Sequence, residues 1–248
     1  MKQLRRFREL ADLALHATDG DLGSVEDLYL DDRHWQVRYL VVKTGGWLLG
    51  RYVLIAPVSV REIDDAEGTL HVNLTREQIE QSPPIDRAKP VSRAYEQAYY
   101  RHFRLAPYWD TVPGPWGTAV PYPGTVPPTI EKAGAAAQPE HPHLRSAKEL
   151  TGYAIRARDG EIGHLEDVVV DDEDWVVRYV EVDTRKWLPG KKVLMQAGRI
   201  EEISWAARHV KVGLTRLAIE SAPAYDPSEV ITPEYEVQLF KHYSKDAA

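Results

Sequence analysis

The chain contains no cysteine. Disulfides, thiolate nucleophiles and cysteine-based zinc sites are therefore excluded. No apolar run approaches the ~20 residues that a helix needs to cross a bilayer. The basic start Met1-Lys2-Gln3-Leu4-Arg5-Arg6 leads into Phe7-Arg8-Glu9-Leu10-Ala11-Asp12 rather than into an apolar signal-peptide core. Lys and Arg form no run, and acidic residues outnumber them to give a net charge of −7, so a direct nucleic-acid interface is not expected. No Ser-His-Asp arrangement, P-loop or Rossmann glycine pattern is present. Together these absences point away from an enzyme and toward a cytoplasmic protein.

What the sequence does contain is a pattern that occurs twice. Asp19-Gly20-Asp21-Leu22-Gly23-Ser24-Val25-Glu26-Asp27-Leu28-Tyr29-Leu30-Asp31-Asp32 returns as Asp159-Gly160-Glu161-Ile162-Gly163-His164-Leu165-Glu166-Asp167-Val168-Val169-Val170-Asp171-Asp172. The offset between the copies holds without a gap far beyond this stretch, so the chain is a tandem duplication. At 248 residues and 43% hydrophobic content it can form two small domains, each with a core of its own. The boundaries read as a first repeat at 1–104, a Pro/Gly-rich linker at 105–142 and a second repeat at 143–248.

Within each copy the signals are those of short strands. Leu13 to Ala17 enters a hairpin at Asp19-Gly20, where a tight turn needs positive φ. Leu22 to Leu30 returns, and the recurrence of Gly23 as Gly163 predicts a bulge or a close backbone approach. In Trp35 to Val42, alternation places Leu40 and Val42 (Val180 and Val182) toward the core. It places Trp35, Val37, Tyr39 and Val41 on the other face, which the change of Val41 to Glu181 marks as incompletely buried. Further strands at Tyr52 to Ala56, Val58 to Ile63 and Thr69 to Leu74 bring the count to about six per repeat. A short helix with Thr75 as N-cap and Gln78 in a capping box follows, copied from Thr215. Arg5 to Ala11 and Ser146 to Leu150 each predict one helical turn.

A second helix closes each repeat, from Ser92 and from Thr232. Tyr95, Tyr99 and His102 share one stripe, as do Tyr235, Leu239 and His242. A solvated helix has no use for such a stripe. Each helix is expected to lie on an outer sheet face, over Trp35 and Tyr39 or over Trp175 and Tyr179, with Glu96 contributing little. Those eight residues (Trp35, Tyr39, Tyr95, His102, Trp175, Tyr179, Tyr235 and His242) form the candidate packing or interaction surface. The linker carries Pro107-Tyr108-Trp109 and Pro115-Trp116, and its first part is expected to rest on a domain surface.

The strand ending in Glu-Asp, the polar turn, then Val-Arg-Tyr and a Val-x-Thr or Val-x-Asp-Thr exit resemble the PRC-barrel family. That family is named after the cytoplasmic domain of the H subunit of the purple bacterial photosynthetic reaction centre. It also includes a domain of a ribosome-maturation factor. The resemblance spans about Leu4 to Ile85 and Leu144 to Tyr225, and the terminal helices resemble extensions of bacterial tandem members. It implies a mainly β fold of two small barrels of about six strands each; the ungapped offset predicts that they are related by a pseudo-two-fold and pair within the chain. The resemblance implies a protein-docking module and no catalytic residue. The alternative it offers is a peripheral accessory of a membrane electron-transfer complex, held at the inner membrane.

Charged clusters complete the reading. Asp171-Asp172-Glu173-Asp174 reads as a solvated turn rather than a cation site, since the first copy has Asp31-Asp32-Arg33-His34. One acid of Glu26-Asp27 and of Glu166-Asp167 is expected to sit at a barrel mouth or to pair with Arg38 or Arg178 on the neighbouring strand. The same acids are the candidates for proton transfer under the alternative reading. His141 and His143 with His164 do not repeat, so a zinc site is not expected there. No metal, cofactor or catalytic residue is assigned, and the partner is an unnamed protein.

Overall fold

The computed structural model describes residues 3–87, 89–113, 119–121, 144–184 and 191–244. Pro115-Trp116, most of the linker, His141, His143 and the Arg185-Lys186 loop with Trp187 lie outside the described residues.

In the first repeat the order is β1 (Leu4–Arg6), α1 (Phe7–Ala11), β2 (Ala14–Ala17), β3 (Gly20–Asp31), β4 (Gln36–Thr44), β5 (Tyr52–Ile55), β6 (Val60–Asp64), β7 (Thr69–Val72), α2 (Arg76–Glu80) and α3 (Arg93–Phe103). A small hairpin, β8 (Thr111–Pro113) with β9 (Ala119–Pro121), follows. The second repeat runs β10 (Leu144–Ser146), α4 (Ala147–Leu150), β11 (Ala154–Ala157), β12 (Gly160–Asp171), β13 (Val177–Asp183), β14 (Lys192–Gln196), β15 (Ile200–Ser204), β16 (His209–Val212), α5 (Arg216–Glu220) and α6 (Pro233–Ser244). The protein is mainly β, with six consecutive strands of each repeat in one sheet and a parallel β2–β7 (β11–β16) pairing inside an otherwise antiparallel order.

The seventh strand of each sheet comes from the other repeat. β1 pairs antiparallel with β12, Leu4 opposite Asp171 and Arg6 opposite Val169. β10 pairs with β3 in the matching register, Leu144 opposite Asp31. β3 is long enough to hold its own β2 at one end and β10 at the other. The helical turn expected from Arg5 is thus a strand up to Arg6, and the helix begins at Phe7. Near the pseudo-axis the chains also touch reciprocally: Val37 N–H donates to Trp175 O at 2.8 Å, and Val177 N–H donates to Trp35 O at 2.7 Å. That is the contact pattern of an isologous dimer, here made within one chain. One continuous hydrophobic core includes residues from both repeats, from Phe7 and Leu28 to Leu165 and Tyr243.

Gly23 and Gly163 are close-approach positions. A Cβ would stand 2.0 Å from Lys43 O and 2.1 Å from Asp183 O, at φ of 142° and 101°. The turn glycines Gly20 and Gly160 also take positive φ. All four predicted N-caps accept hydrogen bonds: Thr75, Ser92, Thr215 and Thr232 from the backbone N–H three residues on.

The two-face reading of β4 needs correction. The pairing passes from Tyr29–Tyr39 to Leu30–Val37, leaving Arg38 as an extra residue, and Arg178 does the same in β13. This bulge reverses the alternation, so Val37 and Trp35 return to the core side with Leu40 and Val42. Tyr39 and Val41 remain on the outer face, yet both are fully buried. Glu181, expected to mark a wet face, is buried as well, because Lys192 on β14 meets its carboxylate.

Candidate functional site

Two places in the fold gather functional side chains: the junction between the repeats, and the terminal helices with what lies on them.

At the junction, sheet carboxylates of each repeat hold the opening segment of the other. Asp27 is buried and accepts from the Ser146 hydroxyl at 2.6 Å, from Lys148 N–H at 3.0 Å and from its neighbour Leu28 N–H at 2.8 Å. It therefore satisfies first-turn donors of α4, which have no partner inside the helix. Asp167 does the same for α1, accepting from Arg8 N–H at 3.3 Å, but Arg6 replaces the serine and offers no hydroxyl. Burial raises the carboxyl pKa of both, against the hydrogen bonds that lower it, and brings Asp167 up to about 6. These acids do not pair with Arg38 and Arg178, as the sequence suggested. Those arginines reach instead to Asp31 at 3.2 Å and to Asp171 at 3.1 Å.

In the Asp171 turn Glu173 and Asp174 are exposed, as expected of a solvated turn, but Asp171 itself is buried and structural. Asp31 and Asp171 are buried, and each accepts a backbone N–H of its turn. Burial works to raise the Asp31 carboxyl, but His34, the Arg33 N–H and Arg38 outweigh it and hold its pKa below the usual range. Trp35 and Trp175 follow at φ of 56° and 58°, a left-handed conformation that bulky residues rarely adopt. Their buried rings and the reciprocal carbonyl contacts on the pseudo-axis hold them there. Asp172 bonds Arg5 at 2.7 Å, and Arg145 bonds Asp32 at 3.2 Å, one pair on each side of the axis.

Between α1 and α4 lies a cleft of about 430 Å³ whose lining includes Phe7, Arg8, Glu26, Lys148, Glu166 and Asp167. Arg8 meets Glu166 at 3.3 Å and Lys148 meets Glu26 at 3.7 Å, so the charges at its mouth largely neutralise one another.

The terminal helices lie on the outer faces of their own repeats. Tyr39 donates to Glu96 Oε1 at 3.1 Å, and Tyr179 donates to Glu236 at 3.0 Å. The hydroxyl of Tyr99, fully buried, accepts the Ala56 N–H at 2.7 Å. Tyr95 and Tyr235 donate to Pro83 O and Pro223 O. His102 and His242 donate through Nε2 to Gln78 O at 2.8 Å and Ala218 O at 2.7 Å, tying each long helix to the short one. Thus Tyr39 and Tyr179 lie under the helices, whereas Trp35 and Trp175 lie at the junction. Glu96, expected to be marginal, is buried, and that burial pushes its carboxyl pKa up against Arg93, Tyr108 and Tyr39.

Sequence reasoning missed the partners of Glu96. Tyr108 and Trp109 fold back over α3, where Arg38 lies 3.9 Å from the Tyr108 ring and Arg93 lies 4.0 Å from Trp109. It also missed the outer side of α6, where Val237 and Phe240 face solvent. The second was signalled inside the helix, where Gln97 and Tyr100 become Val237 and Phe240.

A pair of curled β-sheets that exchange their first strands defines a tandem β-domain protein with an internal pseudo-dimer interface. The model of the PRC-barrel domain family matches residues 5–79 and again 142–223. The chain belongs to that family. No curated protein matches it. Among the described residues no helix is long and apolar enough to cross a membrane.

Proposed function

We propose that the chain is a non-enzymatic docking or adaptor module that acts in the cytoplasm by binding another protein. The observation that carries this reading is the outer side of α6, where Val237 and Phe240 stand in solvent three residues apart on one helix. Adjacent exposed apolar side chains form contiguous apolar surface, which marks interaction sites where single scattered ones do not. Strand exchange between the repeats favours the same reading, since it would hold any such surface on a rigid frame.

The test is cross-linking and mass spectrometry of the chain purified from its native cells. The reading expects one protein recovered in fixed stoichiometry, cross-linked to described residues. Recovery of the chain alone, under cross-linking that captures known complexes, would sink it.

A second reading, a peripheral accessory of a membrane electron-transfer complex at the inner membrane, draws on Asp167. Its carboxyl, raised to about 6 beside the cleft, can exchange protons near neutrality. Recovery with membrane redox complexes, rather than with soluble proteins, would favour it.

A further inference from the structure

The repeats differ in what lies over their terminal helices. After α3 the chain reverses at Arg104, which takes a left-handed φ of 54°, and lays Tyr108 and Trp109 on the helix. The Tyr108 hydroxyl donates to Glu96 Oε1 at 3.0 Å. Both rings meet Tyr100, with centroids at 6.1 and 5.3 Å. Under this cover Tyr100 is 6% exposed.

The duplication gives each of these receptor residues a counterpart. Glu96 becomes Glu236, Arg38 becomes Arg178, Tyr100 becomes Phe240 and Arg93 becomes Pro233, while Gln97, exposed beside them, becomes Val237. In the same register Pro107 and Tyr108 become Ala247 and Ala248, which carry no ring. Phe240 is 64% exposed and Val237 is 50% exposed. Glu236 and Arg178 are also more open than their first-repeat counterparts. Phe240, Glu236 and Arg178, the counterparts of the residues that Tyr108 meets, all shift toward solvent.

We propose that this side of α6 docks an extended segment of a partner protein that carries a tyrosine-like residue followed directly by a large apolar one. The inference rests on the docking reading and names its site. The segment binds as Tyr108-Trp109 binds the first repeat: a ring against Phe240 and the Arg178 guanidinium, and a hydroxyl donated to Glu236. The second position differs. Pro233 replaces Arg93, so no cation stands over the second ring, and Val237 adds apolar surface next to Phe240, which selects bulk there rather than a cation-binding face. The Tyr108-Trp109 segment of a second copy is the poorer occupant. It is tethered a few residues from its own receptor, at high effective concentration, and would have to give up those contacts.

The probe is a fluorescent peptide of the sequence Leu105–Thr111, titrated into the full chain. Saturable binding is expected, weakened about tenfold or more by Phe240→Asp or Val237→Asp. Both variants should melt with the parent, since neither side chain is buried. Leu49→Asp, on an exposed side chain of the first repeat, should bind as the parent does. A peptide with both aromatics changed to alanine should not bind. No binding, or binding indifferent to Phe240→Asp, would overturn the proposal. So would self-association of the chain that Phe240→Asp abolishes, because the occupant would then be a second copy. If the peptide fails while a stoichiometric partner cross-links elsewhere, only this site falls. If no partner is recovered at all, the docking reading itself falls.

Discussion

The Asp27 carboxylate accepts a 2.6 Å hydrogen bond from the Ser146 hydroxyl, so a strand acid of one repeat fixes the first helical turn of the other. Asp27 is buried, and its second oxygen takes the Lys148 N–H. Asp27→Ala would strand both donors and is expected to cost about 2–4 kcal/mol, whereas Ser146→Ala should cost about 1 kcal/mol. Urea unfolding of the two variants and their double mutant checks this. The double mutant should lose less than the sum, since the residues share one contact.

Asp167 gives the fold a measurable pH dependence. Its carboxyl titrates near 6 in the folded chain, against 3.8 for an unperturbed aspartate. The folded state therefore holds the proton more tightly, and this residue's contribution to stability falls as pH rises from about 4 to about 6. The span corresponds to roughly 3 kcal/mol at most. Asp167→Asn should flatten that part of the stability–pH curve. An unchanged slope between parent and variant would refute the assignment.

Gly23 and Gly163 are fixed by the backbone opposite. Gly23→Ala sets a methyl 2.0 Å from Lys43 O, and displacing a strand to admit it should cost more than about 3 kcal/mol. Gly68→Ala is the control. Gly68 has φ of 63° with nothing within 4 Å, so only the left-handed backbone penalty of about 1–2 kcal/mol applies. Thermal melts of the two variants should differ accordingly.

The helix α3 is held by polar as well as apolar contacts. Tyr99→Ala should cost about 3–5 kcal/mol, as expected for a fully buried aromatic. Glu96→Ala should cost about 1–3 kcal/mol, because the Tyr39 and Tyr108 hydroxyls both lose their acceptor. If Glu96→Ala melts with the parent, the buried network contributes nothing to stability.

The duplication made much of this fold readable. Two copies of the same glycine identified Gly23 and Gly163, and two copies of a Ser or Thr cap identified the helices. What stayed hidden has a physical cause in each case. Leu4–Arg6 is too short to show strand periodicity, and nothing in three residues says which sheet it joins. A bulge at Arg38 or Arg178 has no composition signal, yet it reverses the side-chain alternation of the strand. Glu96 lies off the Tyr95-Tyr99-His102 stripe, so the sequence alone gives it little weight. Its burial depends on Tyr108, twelve residues downstream. Arg38 and Arg178 pair with Asp31 and Asp171, four residues along the same strands from Asp27 and Asp167, because the bulge at each arginine shifts which acid it faces.

The exchanged strands make the two repeats one structural unit. A protease site inserted within residues 122–140 tests it directly, with the cut chain examined under native conditions. The halves are expected to stay together at the 28.2 kDa mass of the whole chain and to unfold in a single transition. Halves that separate on a sizing column, each still folded, would contradict it.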